Sequence, residues 1–105
     1  MMRAFSLAEA QGFLQATLAG APVDADALRF DGVSTDTRAV KPGQLFVALR
    51  GDRFDGHKFL EQARAQGAVA VVVDTADDSV AMPQLVVADT VNALAGLAAA
   101  NRNES

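Results

Sequence analysis

Two uninterrupted apolar segments constrain the fold of this chain more than any other feature of its sequence: residues 45–49 (LFVAL) and 68–73 (AVAVVV). Short apolar runs rich in β-branched residues are typical of strands that are covered on both faces, as in parallel sheets. Residues 57–66 between them favour a helix, and Gly67 is suited to end it. Its inward-facing side chains are expected to be Phe59, Leu60 and Ala63. Strand, helix and strand in this order predict a right-handed βαβ unit with parallel strands.

Weaker patterns on either side of this unit predict the remaining elements. Ser6 and Glu9 form a capping-box pattern, which predicts a helix over residues 7–18. Alternating polar and apolar residues predict a half-exposed strand over 28–34, and Lys41-Pro42-Gly43 is typical of a turn. The later segments add a buried strand over 84–88 and a helix over 91–101. The predicted fold class is α/β, with a small, mixed and largely parallel sheet flanked by helices, in one domain of 105 residues.

Composition excludes several classes of protein. Half of the residues are apolar, which is too many for a chain that stays disordered, and no apolar run approaches the roughly 20 residues of a membrane span. A net charge of −4 argues against a nucleic-acid binder. Because cysteine is absent and histidine occurs once, no disulfide or metal site is predicted. We therefore expect a cytoplasmic protein.

Positive charge is concentrated in one part of this acidic chain. Residues 29–58 hold six of its nine lysine and arginine residues, but only four of its thirteen acidic residues. Such an asymmetry indicates either a local site for an anionic small molecule or a few solvated arginines. Charge alone does not separate these two interpretations.

The polar run Ser34-Thr-Asp-Thr-Arg38 directly follows a predicted strand. One interpretation is a capped turn, in which Asp36 accepts hydrogen bonds from nearby backbone N–H groups and from Arg38. The other is the rim of a ligand site, because threonine hydroxyls can donate or accept hydrogen bonds to a base or a ribose. Both can hold at once, so we predict that Asp36 and Arg38 are mainly structural and that Thr35 and Thr37 face a ligand.

A glycine-bounded segment, Gly51 to Gly56, lies between a strand and a helix, as a phosphate loop does. The Lys and Ser/Thr that a nucleotide-hydrolysing loop needs directly after the second glycine are absent. Backbone N–H groups at the helix N-terminus, flanked by Arg53 and Lys58, would still suit a phosphate or the polar edge of a nucleotide. Phe54 could either staple this loop to the sheet or lie against a planar base. For His57 we predict local hydrogen bonding rather than catalysis.

Four motifs together resemble one known family: Ser-Thr-Asp-Thr-Arg, Lys-Pro-Gly-x-Leu-Phe-Val-Ala-Leu, Gly-Asp-Arg-Phe-Asp-Gly-His-x-Phe and Gln-Gly-Ala-x-Ala-Val-Val-Val. From residue 27 to 73 the chain is similar to the N-terminal domain of the Mur ligases, and more loosely as far as residue 102. The Asp-Thr-Arg and Phe-Asp-Gly-His forms look more like the member that adds D-alanyl-D-alanine in peptidoglycan precursor synthesis. The sister member that adds the third amino acid is the alternative.

The resemblance implies that residues 1–105 are an N-terminal domain that binds the UDP end of a UDP-MurNAc-peptide. ATP and Mg²⁺ would be bound by a central domain and the amino acid partly by a third, so this fragment is expected to hold no cofactor and to be inactive alone. No catalytic residue is expected in it. The family's uridine contacts fall here on Thr35, Thr37, Asp52, Arg53 and Phe54. In another class of function, a stand-alone protein-interaction domain, the helix over 91–100 would present an exposed apolar patch.

Overall fold

A computed structural model describes residues 4–20, 24, 26–49 and 55–104, with side chains as far as residue 99. The strands are β1 (Phe5–Ser6), β2 (Thr17–Gly20), β3 (Arg29–Phe30), β4 (Val33–Ser34), β5 (Leu45–Val47), β6 (Ala70–Val73) and β7 (Pro83–Val86). The helices are α1 (Leu7–Leu14), α2 (Leu60–Ala65) and α3 (Thr90–Glu104). A 3-10 turn, Gly56–Phe59, directly precedes α2.

The main sheet has five strands in the order β2, β7, β6, β5, β4. Strands β4 to β7 run parallel to their neighbours, and β2 pairs antiparallel with β7 at one edge. Strands β1 and β3 form a separate antiparallel pair. The predicted βαβ unit is present as β5, α2 and β6, and the predicted α/β class with a mixed, largely parallel sheet is confirmed.

The two faces of the central strands are covered by different helices. On one face Leu45 and Val47 of β5 lie in a core cluster with residues of α1 and α3, among them Ala10 and Leu97. On the other face Phe46 lies in a second cluster, which includes Leu60 and Ala63 of α2. Because successive strand residues point to opposite faces, a sheet covered on both sides requires a continuous apolar run. That requirement explains the two apolar segments of the sequence.

The helix predicted over residues 7–18 is shorter than expected. It begins at the predicted capping box, in which the Ser6 hydroxyl accepts from the Glu9 N–H (3.1 Å) and the Glu9 carboxylate accepts from the Ser6 N–H (3.0 Å). It ends at Leu14, because Gln15 takes the left-handed conformation with a φ of 54°. Residues Thr17–Gly20 then form the edge strand β2, so the prediction was wrong beyond Leu14.

The single strand predicted over residues 28–34 is in fact two strands that belong to different sheets. Arg29–Phe30 pairs with β1, whereas Val33–Ser34 pairs with β5. The chain crosses from one sheet to the other at Asp31 and Gly32. The apolar positions Phe30 and Val33 are three residues apart, so the alternation changes phase at the crossing, and the prediction of one continuous strand overlooked this.

The other predicted elements agree with the structure to within three residues at each end. The helix predicted over 57–66 consists of the 3-10 turn followed by α2. Asp89 caps the last helix, since its carboxylate accepts a hydrogen bond from the Val91 N–H (2.9 Å).

Gly67 holds the connection between β4 and β5 against the end of α2. Its φ is +103°, and a Cβ atom at this position would lie 2.9 Å from the Cα of Pro42. The Gly43 N–H donates to the Gly67 carbonyl (3.2 Å), and the Val69 N–H donates to the Gln44 carbonyl (2.9 Å). The polar connection after β4 is therefore fixed beside the βαβ unit.

Replacing Gly67 with alanine should lower the free energy of unfolding by about 1–3 kcal/mol, because the left-handed backbone and the contact with Pro42 both disfavour a Cβ atom. Gly12→Ala is the matched control: a Cβ at Gly12 meets nothing within 4 Å, and alanine in a helix is favoured over glycine by roughly 0.5–1 kcal/mol. Urea denaturation measures both. Equal stability of Gly67→Ala and the wild type would contradict the close packing described here.

Candidate functional site

Three neighbouring parallel strands end at the same edge of the sheet, and a polar segment follows each of them. Residues 35–38 follow β4, residues 48–55 follow β5, and Asp74 follows β6. In open α/β sheets, ligands bind in the crevice beyond the carboxyl ends of the strands. The topology therefore brings residues 35–38 and the described ends of the segment after β5 to one edge.

A hollow of about 430 Å³ lies at this edge. Its lining residues are Thr35, Asp36, Thr37, Arg38, Phe59 and Gln62. The loop after β4 provides one side, and the 3-10 turn together with the first turn of α2 provides the other. A volume of this size is in the range of small-molecule sites.

The loop after β4 is a turn that closes on Asp36. The Ser34 hydroxyl donates to the Asp36 carbonyl (3.0 Å) and accepts from the Asp36 N–H (3.2 Å). The Asp36 carboxylate accepts from the Arg38 N–H (2.9 Å) and from the Arg38 guanidinium (3.2 Å). The predicted structural roles of Asp36 and Arg38 are confirmed by these contacts.

The two threonines of this loop line the hollow. Thr37 is buried, with 7% of its surface exposed, while Thr35 is half-buried. Among the residues that the structure describes, no hydrogen bond joins either hydroxyl to a protein partner. Because a threonine hydroxyl can both donate and accept a hydrogen bond, these hydroxyls are suited to bind a polar group that enters the hollow.

The other three predicted contact residues, Asp52, Arg53 and Phe54, lie outside the described residues. The ends of their segment are described and lie close together. The Gly56 N–H donates to the Leu49 carbonyl (2.7 Å), and a Cβ at Gly56 would lie 2.9 Å from the Cα of Ala48. Both described ends of the segment thus lie at the carboxyl end of β5, next to the strand that carries the threonine loop.

His57 connects the segments that follow β5 and β6. Its Nδ1 lies 2.9 Å from the Asp55 carboxylate, and its Nε2 lies 3.0 Å from the backbone nitrogen of Asp74. Nε2 also lies 3.1 Å from the Asp74 carboxylate, so both ring nitrogens have local partners. The prediction of local hydrogen bonding is confirmed.

Sequence reasoning missed two residues of the hollow, Phe59 and Gln62. Phe59 was predicted to face inward with Leu60 and Ala63, and this was wrong: 37% of Phe59 is exposed, against 1% and 0% for the other two. The reason is local geometry, because Phe59 ends a 3-10 turn with 3.0 residues per turn and is therefore rotated from its place in a continuous α-helix. The available signal was the position of Phe59, three residues after Gly56 at the end of the glycine-bounded segment.

The hydrogen bonds within the turn affect the pKa of the Asp36 carboxyl. Its hydrogen bonds from the Arg38 side chain, and secondarily from the Arg38 N–H, hold the pKa of the Asp36 carboxyl below its ordinary value. A carboxyl whose pKa is lower in the folded than in the unfolded state stabilises the fold above the unfolded-state pKa, and that contribution is lost as the pH falls through the folded-state pKa. The turn should therefore loosen only under acidic conditions.

An NMR titration of the side-chain carboxyl carbons should show this directly. We expect the Asp36 midpoint to lie below about 3.9, the value of an unperturbed aspartate. In Arg38→Gln the midpoint should rise but stay lowered, because the backbone N–H of residue 38 still donates. An Asp36 midpoint that Arg38→Gln leaves unchanged would contradict the role assigned to the guanidinium.

Removing the imidazole should destabilise the fold. We expect His57→Ala to lower the free energy of unfolding by about 1–3 kcal/mol, because the Asp74 N–H and the Asp55 carboxylate each lose a hydrogen-bond partner. Lys58→Ala, at the exposed neighbouring position, should change it by less than about 0.5 kcal/mol. Equal effects of the two substitutions in urea denaturation would exclude the connecting role of His57.

None of the helices within the described ranges has the length and apolar character that crossing a membrane requires. Among those same residues, no group of three or more His, Cys, Asp or Glu side chains is placed to hold a metal ion.

Comparison with solved structures identifies the architecture. MurF from Acinetobacter baumannii superposes with a TM-score of 0.81 and 31% sequence identity, over 91% of this chain and 20% of that one. MurF ligase from Thermotoga maritima in complex with ADP superposes with a TM-score of 0.57 and 33% identity, over 63% of this chain and 15% of that one. The fold described above therefore occurs in much longer proteins.

Sequence comparison gives the same result. The UDP-N-acetylmuramoyl-tripeptide–D-alanyl-D-alanine ligase of Escherichia coli is 45% identical over 98 residues, which cover 93% of this chain and 20% of that protein. The UDP-N-acetylmuramoyl-L-alanyl-D-glutamate–2,6-diaminopimelate ligase of Bradyrhizobium diazoefficiens is 50% identical over 74 residues, or 70% of this chain and 15% of that protein. The chain thus spans about a fifth or less of the length of these relatives. A family model described as "Mur ligase family, catalytic domain" matches residues 29–102, and the chain belongs to the Mur ligase family.

Proposed function

We propose that this chain binds the UDP end of UDP-N-acetylmuramoyl-tripeptide, as the N-terminal domain of a ligase that adds D-alanyl-D-alanine to it. The observation that carries the proposal is the hollow at the carboxyl edge of β4, lined by two threonine hydroxyls without described protein partners. Supporting it, the E. coli relative named for this reaction is 45% identical over nearly the whole chain.

The proposed contacts come from two neighbouring segments. Thr35 and Thr37 offer hydroxyls to the polar groups of the uridine. Asp52, Arg53 and Phe54 belong to the segment that begins and ends beside β5, one strand away. An aspartate and an arginine suit ribose hydroxyls and phosphate oxygens. Phe54 keeps its two alternative roles, as a contact to the base or as a staple to the sheet.

Such a domain contributes to catalysis by binding and not by chemistry. A long substrate that is gripped at one end has its distant reactive end positioned over another domain, and this lowers the entropic cost of reaction. This chain's residues would bind and orient the nucleotide, and no acid–base group is needed for that task. We assign no catalytic residue to the chain.

The residues of this chain do not fit MgATP. His57 and Lys58 follow Gly56, where a nucleotide-hydrolysing loop has Lys and then Ser or Thr. ATP and Mg²⁺ would therefore be held by a central domain of the complete, cytoplasmic enzyme. That central domain and a C-terminal domain are the proposed partners of this one.

A second candidate is the ligase that adds the third amino acid, 2,6-diaminopimelate. The similarity to the Bradyrhizobium ligase named for that amino acid favours it, at 50% identity over 74 residues. Because a UDP-binding domain contacts the shared end of both substrates, its residues do not select the amino acid. Assay of the complete protein with D-alanyl-D-alanine and with diaminopimelate distinguishes the two candidates.

A chemical-shift titration of the chain with UDP and with UDP-N-acetylmuramoyl-tripeptide tests the proposal. We expect the amides of residues 35–38 to shift with both ligands. Thr37→Val, which keeps the shape and removes the hydroxyl, should weaken binding about 2–10-fold, the value of one hydrogen bond. Thr17→Val is the matched control, because Thr17 is exposed in β2 at the opposite edge of the sheet.

The absence of any response at millimolar ligand would overturn the proposal and favour a protein-interaction domain. In that case the exposed side of α3, with Val91 at 56% exposure, is the surface to examine. A response confined to residues remote from the hollow would also exclude the proposed site.

A further inference from the structure

One side of the hollow depends on a short 3-10 turn. Phe59, which lines the hollow, is the last residue of the turn Gly56–Phe59. The Lys58 N–H donates to the Asp55 carbonyl (3.1 Å), and the His57 N–H donates to the Asp55 carboxylate (2.9 Å). Because hydrogen-bond geometry is poorer in a 3-10 turn than in an α-helix, the placement of this side also depends on contacts between the turn and the rest of the fold.

The ring of His57 makes such a contact, because it reaches from the cap of the turn to the end of β6. Only 10% of the side chain is exposed. Its Nδ1 lies 2.9 Å from the Asp55 carboxylate, and its Nε2 lies 3.0 Å from the backbone nitrogen of Asp74 and 3.1 Å from the Asp74 carboxylate. Asp74 directly follows β6, in which every residue is buried. The ring therefore joins the turn to a central strand of the sheet.

The two sides of the hollow are held in different ways. The loop after β4 closes on itself, through the hydrogen bonds of Ser34 and Asp36. The turn on the other side is linked through His57 to β6, which lies two places from β4 in the sheet. Regular parallel pairing of β4, β5 and β6 fixes the end of β6 relative to the loop after β4. A link between the turn and β6 therefore helps to set the width of the hollow.

We propose that His57 is a positioning residue for nucleotide binding: its contact with Asp74 holds the 3-10 turn at the distance from the loop after β4 at which a nucleotide fits between them. This assignment rests on the proposed function, since it names a residue that shapes the same site. Of the described residues, those that line the hollow do not include His57, so it acts through the turn. A site that is ordered before binding gives higher affinity, because less conformational entropy is lost when the ligand enters.

Three substitutions separate the contact with Asp74 from the contact with Asp55. In His57→Asn the carboxamide takes the place of Nδ1 and is too short to reach Asp74. In His57→Gln it extends to the place of Nε2, where it can accept from the Asp74 N–H or donate to the Asp74 carboxylate. His57→Ala removes both contacts. All three variants keep the backbone N–H of residue 57 that donates to Asp55, so the cap of the turn is retained.

Titration of these variants with UDP, followed by calorimetry under conditions in which each is folded, tests the proposal. His57→Asn and His57→Ala should bind UDP about 2–10-fold more weakly than the wild type, because the link to β6 is lost. His57→Gln keeps that link and should change the affinity by less than about twofold. The control for stability is Ser6→Ala, which removes the cap of α1 away from the hollow and should leave UDP affinity unchanged. If His57→Ala does not fold, the comparison of His57→Asn with His57→Gln decides.

Two results would overturn the positioning role while UDP still binds. One is equal weakening in His57→Gln and His57→Asn, and the other is an NOE between UDP and the ring protons of His57, the single histidine of the chain. If the wild type binds UDP with shifts at residues 35–38 and His57→Asn binds as tightly, the positioning role is wrong and the proposed function stands. If the wild type does not bind UDP at all, the proposed function fails and this assignment fails with it.

Discussion

Four adjacent parallel strands, of which the central two are buried on both faces, determine how the rest of this molecule is arranged. Every residue of β5 and β6 is inaccessible to solvent, so neither face of the sheet at its centre can bind a ligand. A ligand can therefore bind only at the edges of the sheet, where the chain turns. Because β4, β5 and β6 point the same way, the segments that follow them are neighbours despite their separation in sequence. Packing on the two faces thus decides where polar side chains can meet.

In the loop after β4, the polar side chains that close the turn alternate with those that line the hollow. Ser34 and Asp36 are used to close the turn, whereas Thr35 and Thr37 between and after them line the hollow. Arg38 is largely exposed and paired with Asp36, so its charge is partly neutralised and the turn contributes little net field. An anionic ligand would therefore be attracted mainly by other cations of residues 29–58, and the hydroxyls would supply orientation more than attraction.

The parts of the fold that could be predicted from the sequence are those in which local pattern and burial agree. The strands within 45–49 and 68–73 were predictable because only a doubly covered strand needs an unbroken apolar run. The helix over 7–18 was overextended because Leu14 and Leu18 happen to keep helical spacing, although Leu18 packs against the core from a strand. The change from helix to strand depends on one left-handed residue, Gln15, whose side chain gives no signal for that conformation.

For the site, residue chemistry was more informative than geometry. The dense run of hydroxyl and charged residues directed attention to the threonine loop, and Thr35 and Thr37 of that loop line the hollow. Phe59 and Gln62 could not be found in this way, since their exposure depends on a 3-10 turn before α2 and on the approach of a loop from another strand. Asp52, Arg53 and Phe54 remain sequence-based assignments.

The hydrogen bond from Gly56 to the Leu49 carbonyl has a consequence for how this family can diversify. It fastens the two ends of the intervening segment to each other and to the scaffold. Lengthening a chain between two fixed points costs little conformational entropy, about 0.6 kcal/mol for each doubling. Insertions and deletions between residues 50 and 55 should therefore be tolerated without moving the sheet. Related proteins could acquire different ligand preferences there while every strand register is kept.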